Sequence, residues 1–296
     1  MQTPDVVVVG AATRDLSDVD PRGWLLGGGV TFGALALARM GLRVGVVLGL
    51  DAEAGTAREL ELIRDSGADV AEVPLAQGPV FVNVETLAGR VQTCRSTSYP
   101  IPPAAVPPAW RAAPAWLLAP VAGEIDDGWA DVPASTSCVA FGWQGILRQL
   151  DSGALVRPKA PGPSPLLSRA DIVAVSRHDI PGDMELRRIV SWLRNDCLLL
   201  LTAGLLGGLL LHVEQGRIAR TRAYPSVPSG DEVDPAGAGD TMLAGLVATR
   251  LALGDEGGRL GRDVHVGAAA ASLLVEGPGM DSVPTFGQLR DRLAVR

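Results

Sequence analysis

The string Asp-Pro-Ala-Gly-Ala-Gly-Asp-Thr at residues 234–241 is the part of the sequence best suited to chemistry, and it runs directly into an apolar stretch. Gly237 and Gly239 flank Ala238, so the backbone at these residues can approach a ligand closely. A helix that begins here supplies unpaired N–H groups and a partial positive charge, and both favour an anion. The string therefore predicts a site for a phosphoryl group, which gains negative charge on its oxygens during transfer.

Asp240 is placed to accept the proton of a hydroxyl that attacks the same phosphoryl group. The pattern predicts a helix over residues 239–253 with Asp240 as its cap, and a carboxylate there should be ionised at neutral pH. Such a carboxylate is too weak a base to ionise an alcohol before attack, so it would orient the hydroxyl and capture its proton during transfer. For a bare Gly-x-Gly-Asp the alternative is an ordinary helix cap after a tight turn. The full string is more specific.

Lysine is nearly absent, because Lys159 is the single lysine among 26 basic residues. A phosphate-binding loop of the form GxxxxGK[ST] needs a lysine after glycine, and the sequence has no Gly-Lys pair. Lys159 lies in a proline-rich run and is expected to be a solvated loop residue, which argues against Schiff-base chemistry. Whether an arginine such as Arg14, Arg95 or Arg177 neutralises phosphate charge instead is a question for the structure.

The chain is acidic, with 33 acidic against 26 basic residues and a net charge of −7. It shows no basic cluster, so we expect no nucleic-acid partner and no membrane binding. Three cysteines without a CxxC pair and three histidines without HExxH argue against a metal cage of sulfur and nitrogen ligands and fit a reducing cytoplasm. The N-terminus lacks the basic region of a signal peptide, and the longest apolar stretch, residues 198–213, is too short and too broken to span a bilayer.

Short apolar runs alternate with helical patterns along most of the chain, which predicts an α/β domain with a parallel sheet. Strands are predicted near residues 6–9, 44–48, 116–118, 137–141, 172–175 and 198–202, with a further buried strand after the turn at Gly207-Gly208. Helices are predicted over residues 31–40, 54–66, 239–253, 264–274 and 286–293. Residues 80–85 and 91–95 alternate in polarity around a glycine turn at 88–89, which predicts a hairpin that projects from the main sheet as a lid.

These motifs resemble the ribokinase-like, or PfkB, family of carbohydrate and nucleoside kinases, and the resemblance covers nearly the whole chain. It rests on residues 237–240, on the early Gly-Gly-Gly-Val-Thr-Phe-Gly-Ala at 27–34 and on the inserted hairpin. The resemblance implies a three-layer α/β sandwich with a mostly parallel central sheet and a small inserted β lid. It also implies one domain over residues 1–296, with lid segments at about 11–29 and 78–101.

The same resemblance implies a set of functional residues. Asp240 would be the catalytic base, and Gly237, Ala238 and Gly239 would form the anion hole. The predicted substrate-binding residues are Asp15, Gly27, Gly28 and Phe32, and the predicted nucleotide-binding residues are Thr202, Gly204 and Gly207. The implied cofactors are ATP and Mg²⁺.

The chain departs from the family pattern in two places. Ser176 and Asp179 stand where many members have an Asn-x-x-Glu element that influences Mg²⁺, so Asp179 is predicted to act on the metal indirectly. Phe32 replaces an asparagine that many sugar kinases have, and this looks closer to an inositol-kinase-like branch. We therefore expect a kinase that phosphorylates a small sugar, polyol or nucleoside, as a monomer or as a homodimer that pairs through the lid.

Two other functions are weighed against a kinase. The altered element at Ser176 and Asp179, together with Phe32, favours a non-catalytic sugar- or nucleotide-binding member of the same fold. A dinucleotide-dependent oxidoreductase is disfavoured, because residues 10–15 after the first strand lack GxGxxG.

Overall fold

The computed structural model describes residues 2–86, 89–182, 184–253 and 260–294. Its strands are β1 (Val6–Ala11), β2 (Thr13–Leu16), β3 (Trp24–Gly27), β4 (Val44–Leu50), β5 (Asp69–Pro74), β6 (Val80–Thr86), β7 (Gly89–Ser96), β8 (Ala115–Leu118), β9 (Cys138–Gly142), β10 (Arg148–Gln149), β11 (Ala154–Leu155), β12 (Arg157–Pro158), β13 (Ile172–Ser176), β14 (Cys197–Thr202), β15 (Gly208–Glu214) and β16 (Arg217–Tyr224). Its α-helices are α1 (Gly29–Arg39), α2 (Glu59–Asp65), α3 (Pro165–Arg169), α4 (Leu186–Val190), α5 (Ala238–Leu253), α6 (Leu260–Leu274) and α7 (Phe286–Ala294).

A large central sheet has the strand order β16-β15-β14-β13-β9-β8-β1-β4-β5. All neighbours from β14 to β5 are parallel, whereas β15 and β16 are antiparallel at one edge. Val6, Val7, Val8 and Val9 of β1 have no exposed surface, as expected of an interior strand that is covered on both faces. The predicted mostly parallel sheet is confirmed, and β15 follows the predicted turn at Gly207.

A separate apolar layer covers each face of this sheet, which gives the predicted three-layer arrangement. On one face α1, α5 and α6 pack on the sheet through side chains such as Leu35, Leu246 and Val264. The opposite face carries the short helices α3 and α4 and single-turn 3₁₀ helices, and its core includes four fully buried tryptophans, Trp110, Trp116, Trp129 and Trp143. Wide aromatic rings thus fill much of the space that long helices fill on the other face.

A second, smaller sheet has the order β11-β7-β6-β2-β3 and is called the lid below. It combines the two predicted lid segments, because β2 lies between β3 and the β6–β7 hairpin. Successive side chains of a strand point to opposite faces, so Phe81 and Asn83 share the inner face while Val84 is half exposed on the outer face. Residue 88 of the predicted turn lies outside the described residues.

The structure differs from the sequence-based expectation in places that affect the site. Residues 54–66, predicted as one helix, form a 3₁₀ turn at Ala54–Thr56 and then α2, because Ala57 between them is extended. Helix α5 begins at Ala238, so Asp240 is its third residue and not its cap. The chain passes from β1 into lid strand β2 and not into a helix, so this segment does not form the strand-turn-helix unit that binds a dinucleotide. None of the described helices has the length and apolar character needed to cross a bilayer.

Candidate active site

A cavity of about 390 Å³ lies at the carboxyl ends of the central parallel strands. Residues at or just after the ends of β8, β9, β13 and β14 line it, namely Ala119, Gly142, Ser176 and Thr202. Side chains of β2, β6 and β7 in the lid and of the first turn of α5 line it as well. This is the edge at which open α/β sheets bind their ligands, because the connecting loops diverge there.

Asp240 lies in this cavity and is half-buried. Burial raises the pKa of its carboxyl group from the ordinary 3.8 to about 6, although the nearby charge of Arg148 and a backbone N–H act in the opposite direction. The helix start therefore does not keep the pKa low as the sequence suggested, since loss of water around the carboxylate outweighs the helix dipole. Near pH 7 most molecules still carry the ionised form, and the raised pKa makes Asp240 a stronger proton acceptor.

Three consecutive glycines at the start of α1, Gly27, Gly28 and Gly29, touch both ends of the site. Gly28 has a φ of 102°, a conformation that side-chain-bearing residues rarely adopt. A Cβ on Gly29 would lie 2.6 Å from Oδ1 of Asp240, and a Cβ on Gly27 would lie 2.4 Å from Oδ2 of Asp15. The glycine run thus lets the backbone pass between the two carboxylates, and the structure places Asp15 and Asp240 in the lining of the same cavity.

Asp15 belongs to a polar network on the inner face of the lid. The hydroxyl of Thr13 donates to one of its carboxylate oxygens at 3.2 Å, and Nδ2 of Asn83 donates to the other at 3.1 Å. Nε2 of Gln92 in turn donates to Oδ1 of Asn83 at 2.8 Å. Sequence reasoning missed Asn83 and Gln92. The signal that could have found them is the period of two, which puts both amides on the same lid face as buried Phe81.

Phe32 lies beneath the predicted anion hole. It is only 3% exposed, and a Cβ on Gly237 would lie 2.3 Å from its ring. Gly237 also has a φ of 77°, so both the ring and the backbone conformation require glycine at this position. By contrast, no atom lies within 4 Å of the corresponding position on Gly239. The N–H of Ala238 already donates to the carbonyl of Pro235, so Gly237 and Gly239 are the better donors for a ligand.

A second cavity of about 290 Å³ adjoins the first on the side of α5 and α6. Thr202, Gly204 and Gly207 line it, so the three predicted nucleotide-binding residues lie together. Its other lining is mainly apolar and includes Val227, Met242, Ala268 and Ala271. A flat, apolar ring such as a nucleobase fits a lining of this kind, whereas a phosphate does not.

Asp179 lies on the cavity wall, as the predicted indirect effect on a metal requires. Its Oδ2 is buried and has no hydrogen-bond partner among the described residues. Burial raises the pKa of the Asp179 carboxyl, while the charge of Arg148 and a hydrogen bond from Gln144 lower it. A carboxylate oxygen without a partner suits Mg²⁺ or one of its water ligands, because this cation prefers oxygen and retains several waters. The residues present therefore fit the metal.

The basic residue of the cavity is not one that the sequence suggested. Arg14 pairs with Asp51 at 2.8 Å and also with Glu53, and a guanidinium nitrogen of Arg177 donates to the carbonyl of Ile180. Arg148 lines the cavity instead. It lies in a segment with weak periodicity, so no local pattern in the sequence marks it.

Comparisons with known proteins agree with this geometry. The model of the pfkB family of carbohydrate kinases matches residues 184–285. A pyrophosphate-dependent kinase of the ribokinase family, solved with a pyrophosphate analogue and myo-inositol, is 17% identical, with a TM-score of 0.75 over 97% of this chain and 99% of that chain. Ribokinase of Arabidopsis thaliana, solved with ribose and ATP, is 19% identical, with a TM-score of 0.68 over 100% of both chains. The nucleoside kinase of Methanocaldococcus jannaschii is 15% identical, with a TM-score of 0.69 over 99% of each chain.

No curated protein matches the sequence significantly. The match at residues 184–285 nevertheless agrees with the family resemblance, and structural similarity along nearly the whole chain confirms the predicted fold.

Proposed function

We propose that this chain with a ribokinase-like fold is a kinase that transfers the γ-phosphoryl group of ATP to a hydroxyl of a small sugar or polyol. The observation that carries the proposal is the position of Asp240, which shares one cavity with the Gly237–Gly239 turn and with the polar network of Asp15. Base, anion site and acceptor site are thus within reach of one small ligand. The kinases among the structural neighbours support the same reaction class.

In the proposed reaction Asp15 accepts a hydrogen bond from one hydroxyl of the acceptor, while another hydroxyl faces Asp240. The attacking oxygen bonds to the γ-phosphorus as the bond to the β–γ bridging oxygen breaks, and the hydroxyl proton passes to Asp240. N–H groups of Gly237 and Gly239 donate to the oxygens of the transferring group, on which charge increases. Mg²⁺ supplies further charge neutralisation when bound, and Asp179 would hold one of its waters.

The apolar second cavity supports ATP over pyrophosphate as donor. The inositol kinase among the neighbours uses pyrophosphate, which has no base to bury. In this chain the space beyond Gly239 is bounded by Val227, Met242 and Ala271, and water there would be displaced favourably by a nucleobase. Cys94, Cys138 and Cys197 form no disulfide in the described part of the chain, which fits a cytoplasmic enzyme, where ATP is available.

The acceptor end supports a polyhydroxylated ring of modest size. Asp15, Asn83 and Gln92 present one carboxylate and two amides on the lid side, and apolar Phe32 also lines the cavity, beneath Gly237. A carboxylate can accept hydrogen bonds from ring hydroxyls of a ligand, and a side-chain amide can both donate to them and accept from them. An inositol-like polyol or a sugar fits this set, and a nucleoside is the further option. Pairing of two lids in a homodimer stays a prediction.

The test is a coupled assay of ADP release with ATP and Mg²⁺ over a panel of polyols, sugars and nucleosides. Wild-type protein should turn over at least one polyol or sugar, and pyrophosphate should not replace ATP. Binding of ATP and of an acceptor without ADP release across the panel would instead support the non-catalytic alternative, which the unusual Ser176 and Asp179 favour.

A further inference from the structure

The cavity contains a surplus of negative charge for an enzyme that binds a polyphosphate. Three carboxylates line it, those of Asp15, Asp179 and Asp240. Among the described lining residues Arg148 is the only arginine or lysine. A donor with several phosphates would add more negative charge, and like charges at short range in a partly dry site repel strongly. The position of this arginine is therefore important for holding a polyphosphate in the cavity.

The backbone of Arg148 is held from both sides. Leu147 before it is 3% exposed in the core beneath the sheet, and its carbonyl accepts a hydrogen bond from the N–H of Lys159 at 2.7 Å. Leu150 after it packs against the apolar cluster of Phe81 under the lid. Arg148 itself lies in β10, opposite Pro158 of β12. The backbone that carries the guanidinium thus bridges core and lid and is held by packing on both.

The surroundings of Arg148 place its charge at the point of transfer. Arg148 lines the same cavity as Asp240, the proposed base, and Asp179, the proposed metal-water site. The segment before it is tightly seated, since a Cβ on Gly145 would lie 2.0 Å from the carbonyl oxygen of Pro120 in the cavity wall. A donor carried by such a well-packed backbone segment needs little backbone rearrangement when charge develops.

We propose that Arg148 is a further catalytic residue, whose guanidinium donates hydrogen bonds to the oxygens of the transferring phosphoryl group between Asp240 and Asp179. This inference rests on the proposed kinase function. Arg148 keeps its protons throughout: the proton of the acceptor goes to Asp240, and the bond that breaks is that between the γ-phosphorus and the leaving oxygen of ADP. Its planar fork can contact two oxygens at once and thereby performs the neutralisation for which this chain has no lysine.

The experiment compares Arg148→Gln and Arg148→Lys with the matched control Arg157→Gln. Arg157 is an exposed arginine in β12 of the same short ribbon and does not line the cavity. Two quantities are measured: turnover in the ADP-release assay, and the dissociation constants of a non-hydrolysable ATP analogue and of adenosine by calorimetry. Adenosine reports the second cavity without any phosphate, so it also shows whether each variant is folded.

We expect Arg148→Gln to lower kcat by about 10²- to 10³-fold. It should weaken the triphosphate analogue at least tenfold while adenosine binding stays unchanged. Arg148→Lys should fall between this variant and the wild type, because lysine keeps the charge but not the fork. Arg157→Gln should match the wild type in all measurements.

Three results would overturn the proposal. The first is turnover and triphosphate affinity of Arg148→Gln within twofold of Arg157→Gln. The second is a rise only in the KM for the acceptor, which would assign Arg148 to acceptor binding. The third is wild-type kcat in Arg148→Lys if Arg148→Gln fails to fold. Failure of the kinase function itself is separately visible, because wild-type protein would then release no ADP.

Discussion

Replacement of Asp240 by asparagine should remove activity and at the same time stabilise the protein. Asp240 is the proposed base, so Asp240→Asn should lower kcat by about 10²-fold or more while nucleotide still binds. The same burial that raises the pKa of its carboxyl to about 6 also makes the ionised form costly in the folded state. Asparagine has nearly the same shape and carries no charge, so the variant avoids this cost.

The size of the effect follows from the pKa. Each unit of difference between the folded and unfolded states corresponds to about 1.4 kcal/mol, so a rise from 3.8 to about 6 sets an upper limit of about 3 kcal/mol. Below pH 3.8 the carboxyl is protonated in both states and the cost is absent. Between these two pKa values the unfolded chain loses the proton while the folded chain keeps it, so wild-type stability falls as the pH rises, and above about pH 6 the loss is complete.

The assay is urea unfolding of wild type and Asp240→Asn, without ligand, at pH 5 and pH 8. The stability advantage of the variant should grow by about 1 kcal/mol between these two pH values. Asp65→Asn, which removes an exposed carboxylate from α2, is the control and should show no comparable change. An advantage that does not grow with pH would refute the burial reasoning, and near-normal turnover of Asp240→Asn would refute the assignment of the base.

Three further experiments with substituted proteins test other parts of the site. Gly237→Ala should lower the melting temperature and abolish turnover, because the new methyl group would collide with the ring of Phe32 and the backbone has a positive φ. Gly239→Ala should fold normally and only raise the KM for ATP, because the new methyl group enters open space. Equal melting temperatures of the two variants would contradict this. Ala271→Leu should raise the KM for ATP about tenfold, because the larger side chain narrows the second cavity, while the affinity for tripolyphosphate should be unchanged. An equal loss of affinity for ATP and for tripolyphosphate would show that the second cavity does not bind the nucleobase. Asn83→Leu should raise the acceptor KM roughly 10- to 100-fold by breaking the hydrogen bond to the lid carboxylate, while Val84→Thr on the outer face should leave it unchanged.

Much of the fold could be predicted because its signals are local. Buried parallel strands such as Val6–Ala11 are continuous apolar runs, and helices end at glycines such as Gly41. The prediction was weaker over residues 142–164, where short ribbons and 3₁₀ turns have no period to detect. It was wrong over residues 54–66, because an extended residue, Ala57, interrupts a helical pattern.

Parts of the candidate site could also be predicted, because their residues are close together in the sequence. Gly237, Gly239 and Asp240 are close in sequence, so a turn followed by a helix brings them together in any fold that forms that helix. Asp15 and the glycine run at residues 27–29 were found through a family motif. The structure adds the physical reason, since a Cβ at Gly29 would collide with Asp240.

By itself, the sequence determined the fold class, the position of the glycine turn before Asp240 and the argument against lysine-dependent mechanisms, because each depends on residue types or on neighbours along the chain. Only the tertiary structure decided which arginine enters the cavity, which amides support Asp15 and how far the pKa of Asp240 rises. Arg148, Asn83 and Asp240 come from different elements, and the burial and electrostatic field at their meeting point depend on the packing of the whole domain.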